Sequence, residues 1–254
     1  DYVAQAAREM IADQGIAAHA GVRVETVTDN ADSVTVNYLD SEGASKHLEV
    51  DYVMVATGRK PATEGLGLEN TSIETTEHGA IAVDEHLRTT APNIFALGDV
   101  NGGPQFTYIS LDDYRVVLSQ LLGDGSRSTK DRQAVAATIY MNPPLSSVGL
   151  TERDALAAGH TIKVAAKPVA AIAAMPRAKT LENPRGIMKF VIDAETDQIL
   201  GAQLLVVESM EVSNLVALAM RHNITASQLR DEIYTHPSIT EGLNEVLANA
   251  VPVG

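Results

Sequence analysis

The polar stretch GDGSRSTKDR at residues 123–132 divides the chain into two patterns that read as separate cores. Glycine, serine and charged residues offer nothing to bury, and stretches of this kind mark domain boundaries. The 254 residues are long enough for two domains of ordinary size. On the N-terminal side, Val3, Ala6, Ala7, Met10 and Ile11 follow helical spacing over residues 1–14, with Gly15 as a stop. VRVETV (22–27) and SVTVNYL (33–39) alternate in polarity and read as a half-exposed antiparallel hairpin or meander. Residues 50–56 and 93–97 read as buried strands of an α/β sheet, and residues 108–122 as a helix stopped by Gly123. The C-terminal side is α+β, with strands at 135–141 and 162–169 and a short helix at 151–158. There a hairpin at 186–193 and 199–207 precedes a helix at 210–221. That helix carries Val212, Leu215, Val216, Ala219 and Met220 on one stripe, and a last helix is expected over 238–248.

Composition narrows the function classes. Acidic residues outnumber basic ones 33 to 19, a net charge of -14, which argues against a nucleic-acid groove or an anionic membrane surface as partner. No apolar run approaches the roughly 18–20 residues that span a bilayer. The first residues lack the basic, apolar, small-residue order of a secretory signal, so a cytoplasmic location is expected. Cysteine is absent, which removes disulfides, thiolate metal sites and cysteine nucleophiles from these residues. Histidines 19, 47, 78, 86, 160 and 222 share no HxH or HExxH spacing, and no metal site is expected. No GxGxxG, P-loop or GxSxG occurs.

Three motifs carry candidate chemistry, each beside a structural alternative. Gly98-Asp99 ends the 93–97 run, where an α/β sheet places ligands at the carboxyl ends of its strands. Asp99 there either accepts ligand hydroxyls or caps the next turn. Phe106 and Thr107 open the following helix, with Thr107 as N-cap, and its amides either bind an anion or simply start the helix. In His236-Pro237-Ser238-Ile239-Thr240-Glu241, Ser238 and Glu241 have capping-box spacing. Glu241 alternatively orients His236, a proton donor and acceptor near neutral pH.

ATGRKP (56–61), NIFALGDV (93–100), SSVGLTE (146–152), ILGAQLL (199–205) and HPSITE (236–241), in this order, resemble the flavin-dependent pyridine nucleotide-disulfide oxidoreductases. That family includes glutathione reductase, dihydrolipoamide dehydrogenase and mercuric reductase. The stretch GGPQFTYISLDDYR (102–115) is similar to the reactive-chlorine-resistance branch, a neighbour of mercuric reductase. The resemblance implies the end of a nicotinamide-binding domain at 1–57, a return segment of the FAD-binding domain at 58–132 and a dimerisation domain at 133–254. It implies a cofactor wall of Thr57, Gly58, Gly98, Asp99, Phe106 and Thr107, and a His236/Glu241 acid–base pair serving a reactive thiol. It further implies a homodimer and a small-molecule electron acceptor. The family's glycine fingerprints and cysteine pair do not occur, so the chain is expected to be the C-terminal part of a longer FAD- and NAD(P)H-dependent enzyme. By itself it is expected to be inactive and to hold no flavin stably, because the pyrophosphate-binding glycine loop is missing. A self-standing dimerisation module without chemistry is the competing expectation.

Overall fold

In the computed structural model, which describes residues 2–253, the first apolar stripe folds as α1 (Tyr2–Asp13), and Gly15 at φ 76° ends it. Asp1 and Gly254, inside the expected ranges, lie outside the described residues. The alternating runs form β1 (Arg23–Asp29), β2 (Val34–Leu39) and β3 (Ser45–Val50), a three-stranded sheet in the sequential order of a meander. The helix expected at 108–122 is α2 (Thr107–Leu122). After the polar stretch come β4 (Ala137–Ile139), β5 (Leu145–Gly149), α3 (Glu152–Ala157), β6 (Ile162–Pro168) and α4 (Arg177–Thr180). The hairpin follows as β7 (Ile187–Asp193) and β8 (Ile199–Leu205), then α5 (Ser209–Arg221), α6 (Ala226–Arg230), α7 (Gly242–Leu247) and β9 (Val251–Pro252).

Two compact units result: one takes residues up to 25, 37–46 and from 134 on, the other 26–36 and 47–133. The first is built on an antiparallel six-stranded sheet in the order β4-β5-β8-β7-β6-β9. Alternation along β7 and β8 sends Met188, Phe190, Ile192, Ala202 and Leu204 into one core, which the Val212, Val216 and Ala219 stripe of α5 closes. On Ile187 and Leu205, Val3 and Met10 of α1 build a smaller core. The hairpin, β6, α3 and α5 form where the periodicity places them, β4 is shorter than the expected 135–141, and β5, α4, α6 and β9 are additional to the expected elements.

The two expected buried strands of the other unit do not form. Residues 51–56 are irregular, with Tyr52 and Met54 92% and 89% exposed. In 93–97 only an isolated bridge from Phe95 to Arg88 survives, and Ile94 and Leu97 are exposed. A fully apolar strand is stable only between two neighbouring strands with both faces covered. Among the described residues neither run has such neighbours.

Candidate active site

The final helix begins four residues later than capping-box spacing predicts, at Gly242 rather than Ser238, with Glu241 at its N-cap. The Glu241 N–H does donate to Ser238 Oγ at 3.2 Å, one half of the box. The other half is absent because the Glu241 carboxylate is engaged elsewhere: its Oε2 lies 2.9 Å from His236 Nδ1. A carboxylate has no proton to give, so Nδ1 carries the hydrogen and Nε2 is left as the proton acceptor. The exposures are opposite: the Glu241 side chain is 10% exposed and the imidazole 71%. Glu241 Oε1 is buried and makes no hydrogen bond. Together they are a buried acceptor holding an outward-facing base. The His236–Pro237 bond is cis.

Two residues that the motif pattern did not single out brace this loop. Asn244 Nδ2 donates to the carbonyls of Arg230 (2.5 Å) and Glu232 (3.0 Å). The Tyr234 hydroxyl donates to Leu229 O at 2.6 Å, and burial, reinforced by Glu232, pushes its pKa up to about 12. A polar amide in the first turn of a helix that packs on its own preceding loop is the signal that points to Asn244.

In the other unit, Gly98–Asn101 form a single 3-10 turn that presents Asp99. Gly98 is at φ 76°, and an added Cβ would lie 3.0 Å from Ser110 Oγ on α2, so conformation and close approach both call for glycine. Asp99 Oδ2 accepts from Arg59 Nη1 at 3.1 Å, which brings the Thr57-Gly58-Arg59 segment beside the turn. Gly58 is at φ 126° in an exposed stretch. Thr107 is not the N-cap: it is the first helical residue, Phe106 is the N-cap in extended conformation, and no side chain caps the helix. The Phe106 N–H donates to Pro104 O at 3.0 Å, so of the expected amide pair it is already committed. Thr107 carries the first amide of the helix, while the Ile109 and Ser110 amides of the same turn both donate to Phe106 O at 3.0 Å. The Phe106 and Tyr108 rings stack at 5.0 Å. Sequence reasoning missed Arg59, although it stands inside the ATGRKP motif. No group of three or more His, Cys, Asp or Glu side chains able to hold a metal converges among the described residues.

Two family models match in the order that these sites stand: pyridine nucleotide-disulphide oxidoreductase over residues 1–113, and the dimerisation domain of the same enzymes over 135–247. The chain belongs to the pyridine nucleotide-disulphide oxidoreductases. Among relatives, a probable pyridine nucleotide-disulfide oxidoreductase, RclA of Escherichia coli, is 47% identical over 239 residues, 94% of this chain and 52% of that protein. The mercuric reductase of Staphylococcus aureus is 32% identical, covering 95% of this chain and 43% of that one. The solved structure of the HOCl-induced flavoprotein disulfide reductase RclA superimposes with a TM-score of 0.89 at 45% identity, over 98% of this chain and 55% of that one. A Cu(II) complex of the same reductase gives 0.89 at 46%, over 97% of this chain and 54% of that one. The chain thus spans about half the length of the relatives it matches. The mixed α/β architecture is that of this family.

Proposed function

We propose that this chain is the C-terminal part of an FAD-dependent enzyme that takes electrons from NAD(P)H and passes them to a disulfide, an oxidant or a metal ion. The transfer runs through a redox dithiol that lies outside these residues, since they contain no cysteine. In this reading residues 1–57 complete a nicotinamide-binding domain, 58–132 return to the flavin domain and 133–254 dimerise. The enzyme is cytoplasmic; no described helix is long and apolar enough to cross a membrane. Oxidants and soft metal ions are favoured as acceptors by the relatives: an HOCl-induced flavoprotein disulfide reductase, a Cu(II) complex of it and a mercuric reductase.

The observation that carries the proposal is the His236–Glu241 pair. A scaffold has no use for a buried carboxylate that fixes the tautomer of an exposed imidazole. An acid–base group does, because Nε2 must meet the proton of a thiol in one orientation and return it to the departing thiolate. A two-fold axis through 133–254 would let each such turn complete the thiol site of the other subunit, over an interface above about 1,000 Å². On the flavin side the residues present fit the cofactor. Asp99 keeps lone pairs for ribityl hydroxyls beyond the one that Arg59 uses. The N-terminus of α2 with its Thr107 amide offers positive partial charge where a reduced flavin ring gathers negative charge. Thr57 and Gly58 adjoin through Arg59. FAD, when bound, supplies the hydride acceptor and the electron relay.

The test is His236→Ala in the full-length protein. Thiol-dependent turnover should fall by about 10²–10⁴-fold while the flavin absorbance stays that of the unsubstituted enzyme. An unchanged thiol-dependent rate would remove His236 from the chemistry.

A further inference from the structure

We infer that Asp113 is a positioning residue for the flavin site, locking the Asp99 turn and the N-terminus of α2 into one rigid unit. The inference rests on the flavin-wall reading above and adds to it a residue that does not touch the cofactor. Asp113 lies in the second turn of α2 and is 1% exposed. Its Oδ2 accepts the Gly98 N–H at 2.7 Å and the Asn101 amide at 3.1 Å. Asn101 Nδ2 also reaches Ala96 O at 3.3 Å, and its Oδ1 accepts the Gly103 N–H at 2.9 Å. A single carboxylate thus holds both ends of the turn that presents Asp99.

Because Asp113 is part of the helix whose first turn faces the same ligand, the grip also fixes two cofactor elements relative to each other. Asp113 Oδ1 is held in turn by Arg132 Nη2. The Arg132 Nε donates to Asp112 Oδ2 at 2.8 Å, and Arg127 pairs with the other Asp112 oxygen. A buried carboxylate with these charged partners has little rotational freedom, and hydrogen bonds to a charged acceptor are the stronger kind. Adjacent positions on α2 therefore divide the work. Among the described residues Asp112 pairs with the Arg127 and Arg132 guanidinium groups, whereas Asp113 also reaches the turn.

The experiment compares Asp113→Ala, Asp112→Asn, Asn101→Ala and Asp99→Ala in the full-length flavoprotein. The readouts are the dissociation constant for FAD, from the recovery of free flavin fluorescence, and the melting temperature of the apoprotein. Asp113→Ala should weaken FAD binding about tenfold, in company with Asp99→Ala, while Asp112→Asn leaves it unchanged. Asn101→Ala, which removes the Asn101 bonds to Asp113, Ala96 O and the Gly103 N–H but keeps the Asp113–Gly98 bond, should give a smaller loss of the same sign. That variant decides the matter if Asp113→Ala fails to fold. A lowered apoprotein melting temperature with unchanged FAD affinity in Asp113→Ala or Asn101→Ala overturns the inference alone, provided that Asp99→Ala binds more weakly. Unchanged affinity in Asp99→Ala overturns the flavin-wall reading and the inference with it.

Discussion

Asp193 shows how one side chain serves local structure before any chemistry. Its Oδ1 accepts the N–H of Glu195 (3.1 Å), the N–H of Thr196 (2.9 Å) and the Thr196 hydroxyl (2.9 Å), while Oδ2 meets His160 Nδ1 at 2.9 Å. The Thr196 amide bond first, and the His160 contact next, hold its carboxyl well below the usual carboxylate range. The unfolded chain therefore takes up the proton at a higher pH than the folded one. The stabilisation is complete above the ordinary aspartate value of about 4 and is lost as the pH falls from there toward the lower folded value. Thermal melts from neutral to acid pH should accordingly show the gap between the natural chain and Asp193→Ala narrowing below about pH 4. A gap that stays constant into that range would show that the carboxylate is not what matters there. At the same scale, residue chemistry alone left Asp99 and Glu241 each with two roles. The fold gives each a side-chain partner, Arg59 for Asp99 and His236 for Glu241.

Among the elements, the β5–β8 pairing is sensitive to side-chain size. Gly149 and Gly201 stand opposite each other in register, and Leu150 N donates to Leu200 O at 2.9 Å just beyond. A Cβ on Gly201 would meet Leu150 O at 2.1 Å, a backbone atom that cannot rotate away. Gly201→Ala should therefore cost about 3 kcal/mol, read as a lower denaturant midpoint with an unchanged slope. A midpoint within error of the original would show that the strands can part without penalty. The ILGAQLL motif is in this light a packing requirement of the central sheet. The hairpin turn, α3 with Thr151 as its N-cap, and the α5 stripe were all legible because their determinants are local: turn residues, caps and periodicity.

For the whole molecule, the polar stretch at 123–132 is less loose than its composition suggests. Ser128 and Asp131 form a capping box, and Arg127 and Arg132 are tied to α2. One of the four divisions between the two units falls immediately after it, at 133/134, the others at 25/26, 36/37 and 46/47. Residues 51–56, apolar and exposed, are outside any regular element and are the better protease target. Limited chymotryptic digestion of the 254-residue chain should cut first near Tyr52 and only later within 123–132. First cleavage within 186–222 would contradict the sheet–helix core described above.

The sequence by itself determined the hairpin, β6, α3 and α5 of the α+β half, the order of the family motifs and the identity of the His-Pro-Glu cluster. Each depends on spacing along the chain, on turn-forming residues, or on the order in which the motifs succeed one another. Tertiary structure decided three further points. It assigned the Glu241 carboxylate to His236 and not to its own helix, since only three-dimensional proximity ranks two acceptor roles. It revealed Asp113 as the hub of the Asp99 turn, a contact across 15 residues of sequence that no local pattern encodes. It also left 51–56 outside any strand and 93–97 with a single isolated bridge, because an apolar run states that a segment wants burial but not what will bury it.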